Sequence, residues 1–379
     1  MSLFARTDQS VLGRWWWTVD RGLLAAFLVL IVFGVVLITT ASPPVAETLG
    51  LGHYHFLKRH IVMLIPALAI MIGTSLLEHR QIWRLSSLVF IGSIVAMVLV
   101  LFTGMEIKGA QRWIHILGFS LQPSEFVKPS FIIVAAWFIS LQKREAMVPG
   151  NLIAAGLYFL VICLLLLQPD LGMTVIITCS LAAMIFLAGF PFRLLVSFGL
   201  AGVAGLVAIY FTFDHVKSRI DRFINPESGD NFQVQKSIEA FQNGGVFGTG
   251  PGQGTVKLNL PDAHADFIFA VAGEEMGLIF ILILISIFGF ILLRGFNRLM
   301  DCSDIFVVLA AGGLLAMFGL QAFVHMGSSL HLLPAKGMTL PFISYGGSSI
   351  LSMGYAMGVV LALTRKQARA GVARGGLSL

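Results

Sequence analysis

The stretch Leu260-Pro-Asp-Ala-His-Ala-Asp-Phe-Ile-Phe-Ala-Val-Ala-Gly-Glu-Glu-Met-Gly277 joins a glycine-rich polar segment to a long apolar run. If it is the start of a helix, Asp266, Ala270 and Glu274 fall at i, i+4 and i+8, so one face holds two carboxylates. A simpler interpretation is that Asp266 only caps the helix. Carboxylates at or below a membrane surface are costly and usually functional, so the stretch predicts a site at the mouth of a membrane-spanning helix.

The composition indicates a membrane protein. Of 379 residues, 57% are hydrophobic and 12% are charged, and the mean hydropathy is +0.89, a balance that soluble domains do not show. Apolar runs near 20 residues, each long enough to cross a hydrocarbon core, recur along the whole chain. We therefore predict an all-α integral membrane protein with about ten transmembrane helices, at about 22–42, 57–77, 83–103, 123–141, 151–168, 171–190, 193–212, 264–293, 304–326 and 343–363.

These helices form one membrane domain, residues 22–364, because no stretch is polar enough to fold as a separate soluble unit. An N-terminal segment, 1–21, precedes the domain, and a basic tail, 365–379, follows it. The longest connection, about 214–263, lies between the seventh and eighth helices. We interpret the tail as a solvated, lipid-facing terminus rather than a nucleic-acid-binding arm.

Basic residues divide unevenly between the two sides of the membrane. An even number of spans puts both termini on one side, which also collects most of the arginines, so the positive-inside rule makes that side cytoplasmic. The opposite side keeps basic residues in short loops, where the rule disfavours them. An anionic ligand on the outer face would account for these residues, which are Lys58, Arg59, Lys108, Arg112 and Lys336.

The segment Gly244–Gly254 is rich in glycine but does not match a nucleotide-binding loop. It fits neither G-x-x-x-x-G-K-[ST] nor G-x-G-x-x-G, and no strand–helix–strand pattern surrounds it. We interpret it as a close-packed extracytoplasmic loop next to a ligand site.

Lys128 lies inside a predicted span, where an unpaired ammonium would be costly, so we expect a carboxylate partner. Glu125 is the candidate nearby in sequence and Asp170 is the distant one. Such a pair could serve only to hold helices together, which would still keep a site in shape. Arg112 differs, because a guanidinium in a short outer loop can bind a phosphate through two hydrogen bonds.

Metal-ligand and hydrolytic motifs do not stand out in the sequence. His53, His55 and His60 cluster before the second span, but their spacing matches no reliable metal-ligand pattern. A nucleophile elbow and a His-Glu-x-x-His motif are both absent from the sequence. The sequence therefore predicts no protein-bound metal site.

Five polar segments together resemble the SEDS family of bacterial polytopic membrane proteins, which are peptidoglycan glycosyltransferases. Within these segments, Lys336-Gly-Met-Thr-Leu-Pro341 is more similar to the division branch of the family than to the elongation branch. One departure is Gln111-Arg-Trp113, where many members have two basic residues, and it concerns only the details of phosphate contact. The five segments follow the order and spacing of the family over nearly the whole membrane domain and are Gly109–Ile114, Gln122–Lys128, Gln168–Gly172, Pro261–Gly277 and Leu333–Ser349.

The resemblance implies a ten-helix bundle that polymerises lipid II at the outer, periplasmic face of the bacterial cytoplasmic membrane, at the division septum. It implies that Asp266 is the family's essential aspartate and that Glu125, Lys128 and Asp170 form its buried ion cluster, to which we add Glu274. The implied partners are lipid II, the lipid-linked glycan strand, the surrounding membrane lipid, a class B penicillin-binding protein that supplies the transpeptidase, and other membrane proteins of the divisome.

For catalysis we expect Asp266 to act as general base on the acceptor hydroxyl, with inversion at the anomeric carbon, while cations neutralise the departing pyrophosphate. Magnesium or manganese could assist at the pyrophosphate. The residues predicted to bind substrate are Arg112, Lys336, Lys58, Arg59, His264 and Ser348.

Three other functions remain open from the sequence alone. The intramembrane charges would also suit a lipid II flippase or another transporter, although the sequence shows no inverted repeat. An elongation polymerase and a non-catalytic divisome scaffold are the other two.

Overall fold

The computed structural model describes residues 10–365, apart from 104, 108, 109, 117, 118, 146, 213–216, 218–220, 222–231, 335 and 336. The predictions on Lys108 and Lys336 lie outside the described residues. So do those on the first nine residues, on most of 214–231 and on the tail after Arg365.

Ten helices of 17 to 33 residues, counted within the described residues, correspond one to one with the ten predicted spans. Seven of the described helices are long and apolar enough to cross a membrane, and two further apolar helices are slightly shorter. The ten are α2 (Arg21–Thr48), α3 (His55–Ser75), α4 (His79–Thr103), α5 (Pro123–Arg144), α6 (Gly150–Leu167), α7 (Leu171–Leu187), α8 (Phe192–Thr212), α10 (Ile268–Met300), α11 (Ile305–Ser329) and α12 (Gly347–Leu363).

Two further helices were not predicted. The short helix α1, Val11–Thr18, precedes the first span, and the indole of Trp15 in it donates a hydrogen bond to Ser75 Oγ at 2.9 Å. The helix α9, Phe232–Gly244, lies within the segment that the sequence predicted to be a loop.

A small antiparallel sheet, also not predicted, occupies the connection between α4 and α5. Its strands are β1 (Met105–Ile107), β2 (Ala110–Ile116) and β3 (Phe119–Leu121), in the spatial order β1-β2-β3. Where β2 pairs with β3, Ile114 lies opposite Leu121. The sheet is too short to show a clear alternation in the sequence, yet it carries Arg112 to its position in the site.

The helix α10 is broken near its start. Gly277 has φ 76° and ψ −178°, a backbone conformation that residues with a side chain rarely adopt. The amides of Leu278 and Ile279 bond to the carbonyls of Gly245 and Val246, at 3.0 and 3.3 Å. The loop after α9 therefore fills the break and satisfies its free backbone groups.

The loop Gly244–Gly254 packs closely onto α10 at Gly244, Gly248 and Gly254, as predicted, whereas its tip at Val246 and Phe247 is exposed. The amides of Thr249 and Gly250 bond to the carbonyls of Glu274 and Glu275, both at 2.9 Å. A Cβ on Gly248 would overlap the Glu275 carbonyl. Glycine is needed here because the backbone of the loop lies directly on the backbone of the helix.

The bundle has two ends with different contents. The loop end is formed by the sheet, α9, residues 245–267 and residues 337–346. At the opposite, basic end, the carboxylate of Asp20 forms ion pairs with Nε of Arg294 and Nε of Arg298, at 2.6 and 2.7 Å. A further ion pair there joins Arg144 and Asp304 at 2.6 Å. The start of α2 and the end of α12 both lie at the basic end, as the even number of spans predicts.

Besides the shorter α12, which is buried over almost its whole length, the centre of the bundle is formed by α5 and α11. In their most apolar 18-residue windows 78% and 72% of the residues are buried inside the protein, against 22–44% in the other five of the seven long apolar helices. Lipid-facing spans keep most of their apolar surface outward, whereas these two are surrounded by protein. The two helices therefore provide the enclosed position that a buried charge requires.

Candidate active site

Asp266 lies in a turn at the loop end and not on a helix. Residues 261–267 form consecutive turns, α10 begins at Ile268, and its cap position belongs to Phe267, which makes no side-chain capping bond. Both predictions for this carboxylate, a place on the helical face and a role as helix cap, are therefore wrong. The side chain is half-buried, and a Cβ on Gly337 would lie 3.1 Å from its Oδ2. The carboxylate thus reaches the backbone next to Lys336 in the sequence.

The turn is held by the segment that leads into α12. The amide of Tyr345 donates to the carbonyl of His264 at 3.0 Å, and the hydroxyl of Ser344 donates to the carbonyl of Ala265 at 2.7 Å. The same hydroxyl accepts the amide of Leu340 at 2.8 Å. Two segments that are separated by about 70 residues in the sequence are therefore fixed side by side at the loop end.

His264 lies beneath the turn in a cluster of rings. Its ring centroid is 4.3 Å from that of Phe56 and 5.1 Å from that of Tyr345, and the residue is 5% exposed. Burial lowers the pKa of His264 to about 4, against a smaller opposing effect of Asp262, so the ring is neutral near pH 7. Its Nδ1 is buried and makes no hydrogen bond in the structure. The geometry favours a packing role over the direct substrate contact that the sequence predicted.

Two basic side chains begin α3 beside this cluster. Lys58 is exposed and Arg59 is half-buried, whereas His60 points inward and is 1% exposed. Burial raises the pKa of the Tyr345 phenol, and the positive charge of Arg59 opposes that rise. Arg59 is therefore close enough to Tyr345 to act on it electrostatically, and the cations predicted for an anionic substrate lie next to the Asp266 turn.

Glu125 is the partner of Lys128. The ammonium lies 2.8 Å from Glu125 Oε2 and donates to Gln321 Oε1 at 2.9 Å, and its side chain is completely buried. Gln321 in turn donates to the carbonyl of Thr339 at 3.0 Å, and Ser352 donates to the carbonyl of Glu125 at 2.6 Å. This buried ion cluster connects α5, α11 and α12 with the segment that borders the Asp266 turn.

Asp170 does not pair with Lys128. It caps α7 by accepting the amide of Met173 at 3.2 Å, and it also accepts Nε2 of Gln122 at 3.3 Å. Its nearest cationic neighbour is Arg112, whose Nη1 lies 3.5 Å from Asp170 Oδ2. The distant candidate for the Lys128 partner therefore belongs to a second, neighbouring network.

Arg112 uses its guanidinium inside the protein. Its Nε donates to the carbonyl of Gln168 at 2.7 Å and its Nη2 to the carbonyl of Pro169 at 2.5 Å. Together with the contact to Asp170, these bonds occupy all three nitrogens of the group. A guanidinium has five N–H donors, so two remain for a phosphate, but the three contacts within the protein favour a role for Arg112 in holding the turn between α6 and α7.

Ser348 also makes contacts inside the protein. Its hydroxyl accepts the amide of Gln122 at 2.8 Å and donates to the carbonyl of Ser120 at 3.3 Å, and the residue is 2% exposed. It ties the small sheet to the start of α12. These contacts favour a structural role over the predicted contact with substrate.

Glu274 does not belong to the ion cluster around Lys128, which corrects the sequence-based assignment. Its carboxylate accepts Nδ2 of Asn243 at 2.8 Å and the amides of Val256 and Lys257 at 2.7 and 2.9 Å. Glu274 is 0% exposed. It therefore anchors the loop after α9 onto α10.

A second buried ion pair was missed by the sequence analysis. The ammonium of Lys257 pairs with Glu275 and donates to the carbonyl of Thr40 at 2.9 Å, which joins the loop to α2. Gln321 was missed too. A glutamine inside an apolar span and a lysine just after the glycine-rich loop were signals in the sequence, but neither indicates its partner.

Among the described residues no group of three or more His, Cys, Asp or Glu side chains is arranged to hold a metal ion. His53 instead contacts Glu47, with Nδ1 to Oε1 at 2.9 Å. The magnesium or manganese considered above would sit on the substrate pyrophosphate, so it stays a prediction.

Comparisons with known proteins agree with this architecture. Residues 21–369 match the FtsW/RodA/SpoVE family of cell cycle proteins. The chain is 44% identical over 365 residues to the probable peptidoglycan glycosyltransferase FtsW of Caulobacter vibrioides, across 96% of this chain and 94% of the relative. It is 35% identical over 353 residues to the protein of that name from Geobacter metallireducens, across 90% and 93%.

Two solved structures are similar over almost their whole length. A chain from a peptidoglycan synthase complex that coordinates polymerization and crosslinking superposes with a TM-score of 0.76 at 28% identity, covering 91% of this chain and 97% of that one. The rod shape determining protein RodA of Thermus thermophilus superposes with a TM-score of 0.69 at 28% identity, covering 93% and 99%.

Proposed function

Because this chain belongs to the FtsW/RodA/SpoVE family of cell cycle proteins, we propose that Asp266 is the general base with which it polymerises lipid II. Like its relatives that are named peptidoglycan glycosyltransferase FtsW, the chain is a peptidoglycan glycosyltransferase, and it is a multi-pass membrane protein. The observation that carries the proposal is the half-buried carboxylate of Asp266 at the loop end, beside the basic start of α3.

The reaction balances without a covalent enzyme intermediate. The acceptor sugar hydroxyl attacks the anomeric carbon of the donor, and the bond from that carbon to the pyrophosphate oxygen breaks. The bonding electrons leave on the pyrophosphate, and the hydroxyl proton moves to the Asp266 carboxylate. Direct attack opposite the leaving group inverts the anomeric carbon.

The leaving pyrophosphate needs positive charge as it departs. Arg59 and Lys58 at the start of α3 are the described candidates, since one is half-buried beside Tyr345 and the other is exposed. Lys336 is the third by its place in the sequence, next to the residue whose backbone Asp266 approaches. A divalent cation bound to the pyrophosphate would add to the same neutralisation.

Arg112, Asp170 and the Glu125–Lys128 pair act as positioning residues in this proposal. They make ion pairs and hydrogen bonds within the protein, and they join the helices that meet behind the turn. A general base works only when it is held within hydrogen-bonding reach of its proton, which requires such a rigid support.

The proposed orientation puts the loop end in the periplasm and the basic end in the cytoplasm. Arg144, Arg294, Arg298 and Arg365 all lie at the basic end, as the positive-inside rule requires of the cytoplasmic side. The proposed place is the division septum, since the relatives described above are named FtsW. The proposed partner is a class B penicillin-binding protein, which would crosslink the strands that this chain polymerises.

The test is polymerisation by the purified protein in detergent with labelled lipid II. We expect the parent to form glycan polymer and Asp266→Asn to lose about 100- to 10,000-fold in rate, the usual contribution of a general base. Asp262→Asn is the matched control, because it removes a second carboxylate from the same turn. Parallel assays with Mg²⁺, Mn²⁺ or a chelator measure the need for a divalent cation.

Near-normal synthesis by Asp266→Asn, with the same melting temperature as the parent, would overturn the base assignment. Equal losses in Asp262→Asn and Asp266→Asn would show that the turn needs its overall charge rather than one base. The absence of polymer from the parent itself would favour a flippase or a scaffold, because polymerisation in detergent requires no membrane to be crossed.

A further inference from the structure

The tip of the loop between α9 and α10 carries two apolar side chains that point away from the protein. Phe247 is 82% exposed and Val246 is 51% exposed. From Ala240 to Val256 the sequence contains no charged residue and no histidine. Two adjacent exposed apolar side chains on an uncharged segment are informative only where they continue a larger apolar surface.

Hydrogen bonds fix the position of this tip along α10. The carbonyls of Gly245 and Val246 accept the amides of Leu278 and Ile279, directly below the break at Gly277. Val246 and Phe247 are therefore level with the first turn of the unbroken part of the helix.

That part of α10 has a side that faces lipid. Leu278 and Ile279 are 50% and 47% exposed, and the exposed apolar surface continues along the helix to Leu293. In a membrane-spanning helix an exposed apolar stripe of this length lies against acyl chains. The tip of the loop extends that stripe at its upper end.

The depth of the tip follows from the helix geometry. Arg294 marks the boundary of the hydrocarbon at the basic end, and a core about 30 Å thick takes about 20 residues at 1.5 Å each. The other boundary then falls near residue 274, so Leu278 and Ile279 lie about 6–8 Å inside the hydrocarbon.

We propose that Val246 and Phe247 are inserted into the membrane leaflet at the loop end, where they contact lipid acyl chains. Non-helical backbone is tolerated at such a depth only when its polar groups are bonded within the protein. The carbonyls of Gly245 and Val246 and the amides of Gly248, Thr249 and Gly250 are bonded within the protein in this way. The loop that Glu274 and Lys257 anchor is thereby fixed to the bilayer as well as to the helices. This proposal is independent of the function proposed above.

The experiment measures the depth of a spin label at position 247 in the full-length protein in lipid nanodiscs. The native cysteines Cys163, Cys179 and Cys302 form no disulfide bond and are first replaced by alanine or serine. Phe247→Cys is then labelled and compared with Leu282→Cys, which is 54% exposed on the lipid stripe, and with Gln253→Cys, an exposed polar position in the same loop.

We expect the label at 247 to collide with oxygen more often than with a water-soluble nickel chelate, as the label at 282 should, whereas the label at 253 should show the reverse. Accessibility at 247 equal to that at 253 would place the tip in water and overturn the proposal. Shielding of position 247 from both reagents would mean that protein covers the tip, and would overturn it too. Retained melting temperature in each labelled variant shows that the fold is intact.

Discussion

The buried ion cluster and the Asp266 turn lie at the same end of the bundle, but their charged groups differ in burial and in surroundings. In the cluster, Lys128 is fully enclosed and has partners on two helices, Glu125 and Gln321. In the turn, Asp266 is half-buried, and hydrogen bonds to the segment that leads into α12 fix the backbone of the residues before it. A charge that is enclosed and paired holds structure, whereas a charge on a rigid but accessible turn can react.

The largest expected effect on stability comes from disrupting the buried ion cluster. Lys128→Ala leaves the Glu125 carboxylate buried without its cation, and losing one member of a buried pair costs about 3–5 kcal/mol of the free energy of unfolding. We expect a clear fall in the melting temperature of the detergent-solubilised protein together with a loss of polymerisation. Asp266→Asn, in contrast, should lose activity and keep its melting temperature.

The matched control is Lys236→Ala. Lys236 and Glu239 form a pair at the same spacing along a helix, 2.6 Å apart, but on the exposed side of α9, where a pair contributes about 0–1 kcal/mol. The double variant Glu125→Gln/Lys128→Met should melt closer to the parent than Lys128→Ala does, because it removes both charges. If Lys128→Ala melts like the parent and only turnover falls, the cluster is catalytic rather than structural.

A smaller effect on stability is expected from substituting Arg112. Its size tests whether this guanidinium holds the structure or binds substrate. Arg112→Lys keeps the charge but cannot reach the carbonyls of Gln168 and Pro169 together, so we expect about 1–2 kcal/mol of lost stability. Activity should fall in parallel with the melting temperature. Arg80→Lys, an exposed arginine at the basic end, should change neither.

The opposite pattern at Arg112 would contradict the structural role. A phosphate ligand would show itself as a raised KM for lipid II with an unchanged melting temperature. Steady-state kinetics and thermal melts of the same preparation therefore decide between the two roles.

Hydropathy predicted the helices well because the bilayer constrains them so strongly. The predicted start of the fourth span at residue 123 is the observed start of α5, and the other bounds differ by at most seven residues. The break at Gly277 was not predicted, since the span as a whole has the composition of a continuous apolar helix. The small sheet was missed for a related reason, as its strands have three to seven residues.

The membership of the site was only partly predictable. The polar segments were placed at one end correctly, because each adjoins the same end of its span. The pairing was predicted only in part: Glu125, the nearby candidate for Lys128, is confirmed, whereas the contact of Asp170 with Arg112 was not predicted. Only the direction of the side chains separates the two networks, and a sequence contains that information for neighbours on one helix but not for Arg112 and Asp170, 58 positions apart.

At neutral pH the smallest effect is that of the rings beneath the Asp266 turn, because it appears only as the pH falls. Burial lowers the pKa of His264 in the folded protein to about 4, below its usual value near 6.5. The stabilisation from the neutral ring is therefore complete above about pH 6.5, where both states are uncharged. As the pH falls below that value the unfolded chain binds a proton that the folded one refuses, and stability decreases by up to about 1.4 kcal/mol per pH unit until about pH 4.

His264→Phe cannot titrate and still fits between Phe56 and Tyr345, so its melting temperature should fall less steeply between pH 6.5 and 4 than that of the parent. His53→Phe, at an exposed position, should follow the parent curve. Parallel curves for His264→Phe and the parent would show that the buried imidazole does not set the acid stability of the turn. Activity measurements separate the titration of His264 from that of Asp266. A general base must stay deprotonated, so if Asp266 is that base, the acid-side loss of polymerisation should persist in His264→Phe even where its fold is the more resistant one.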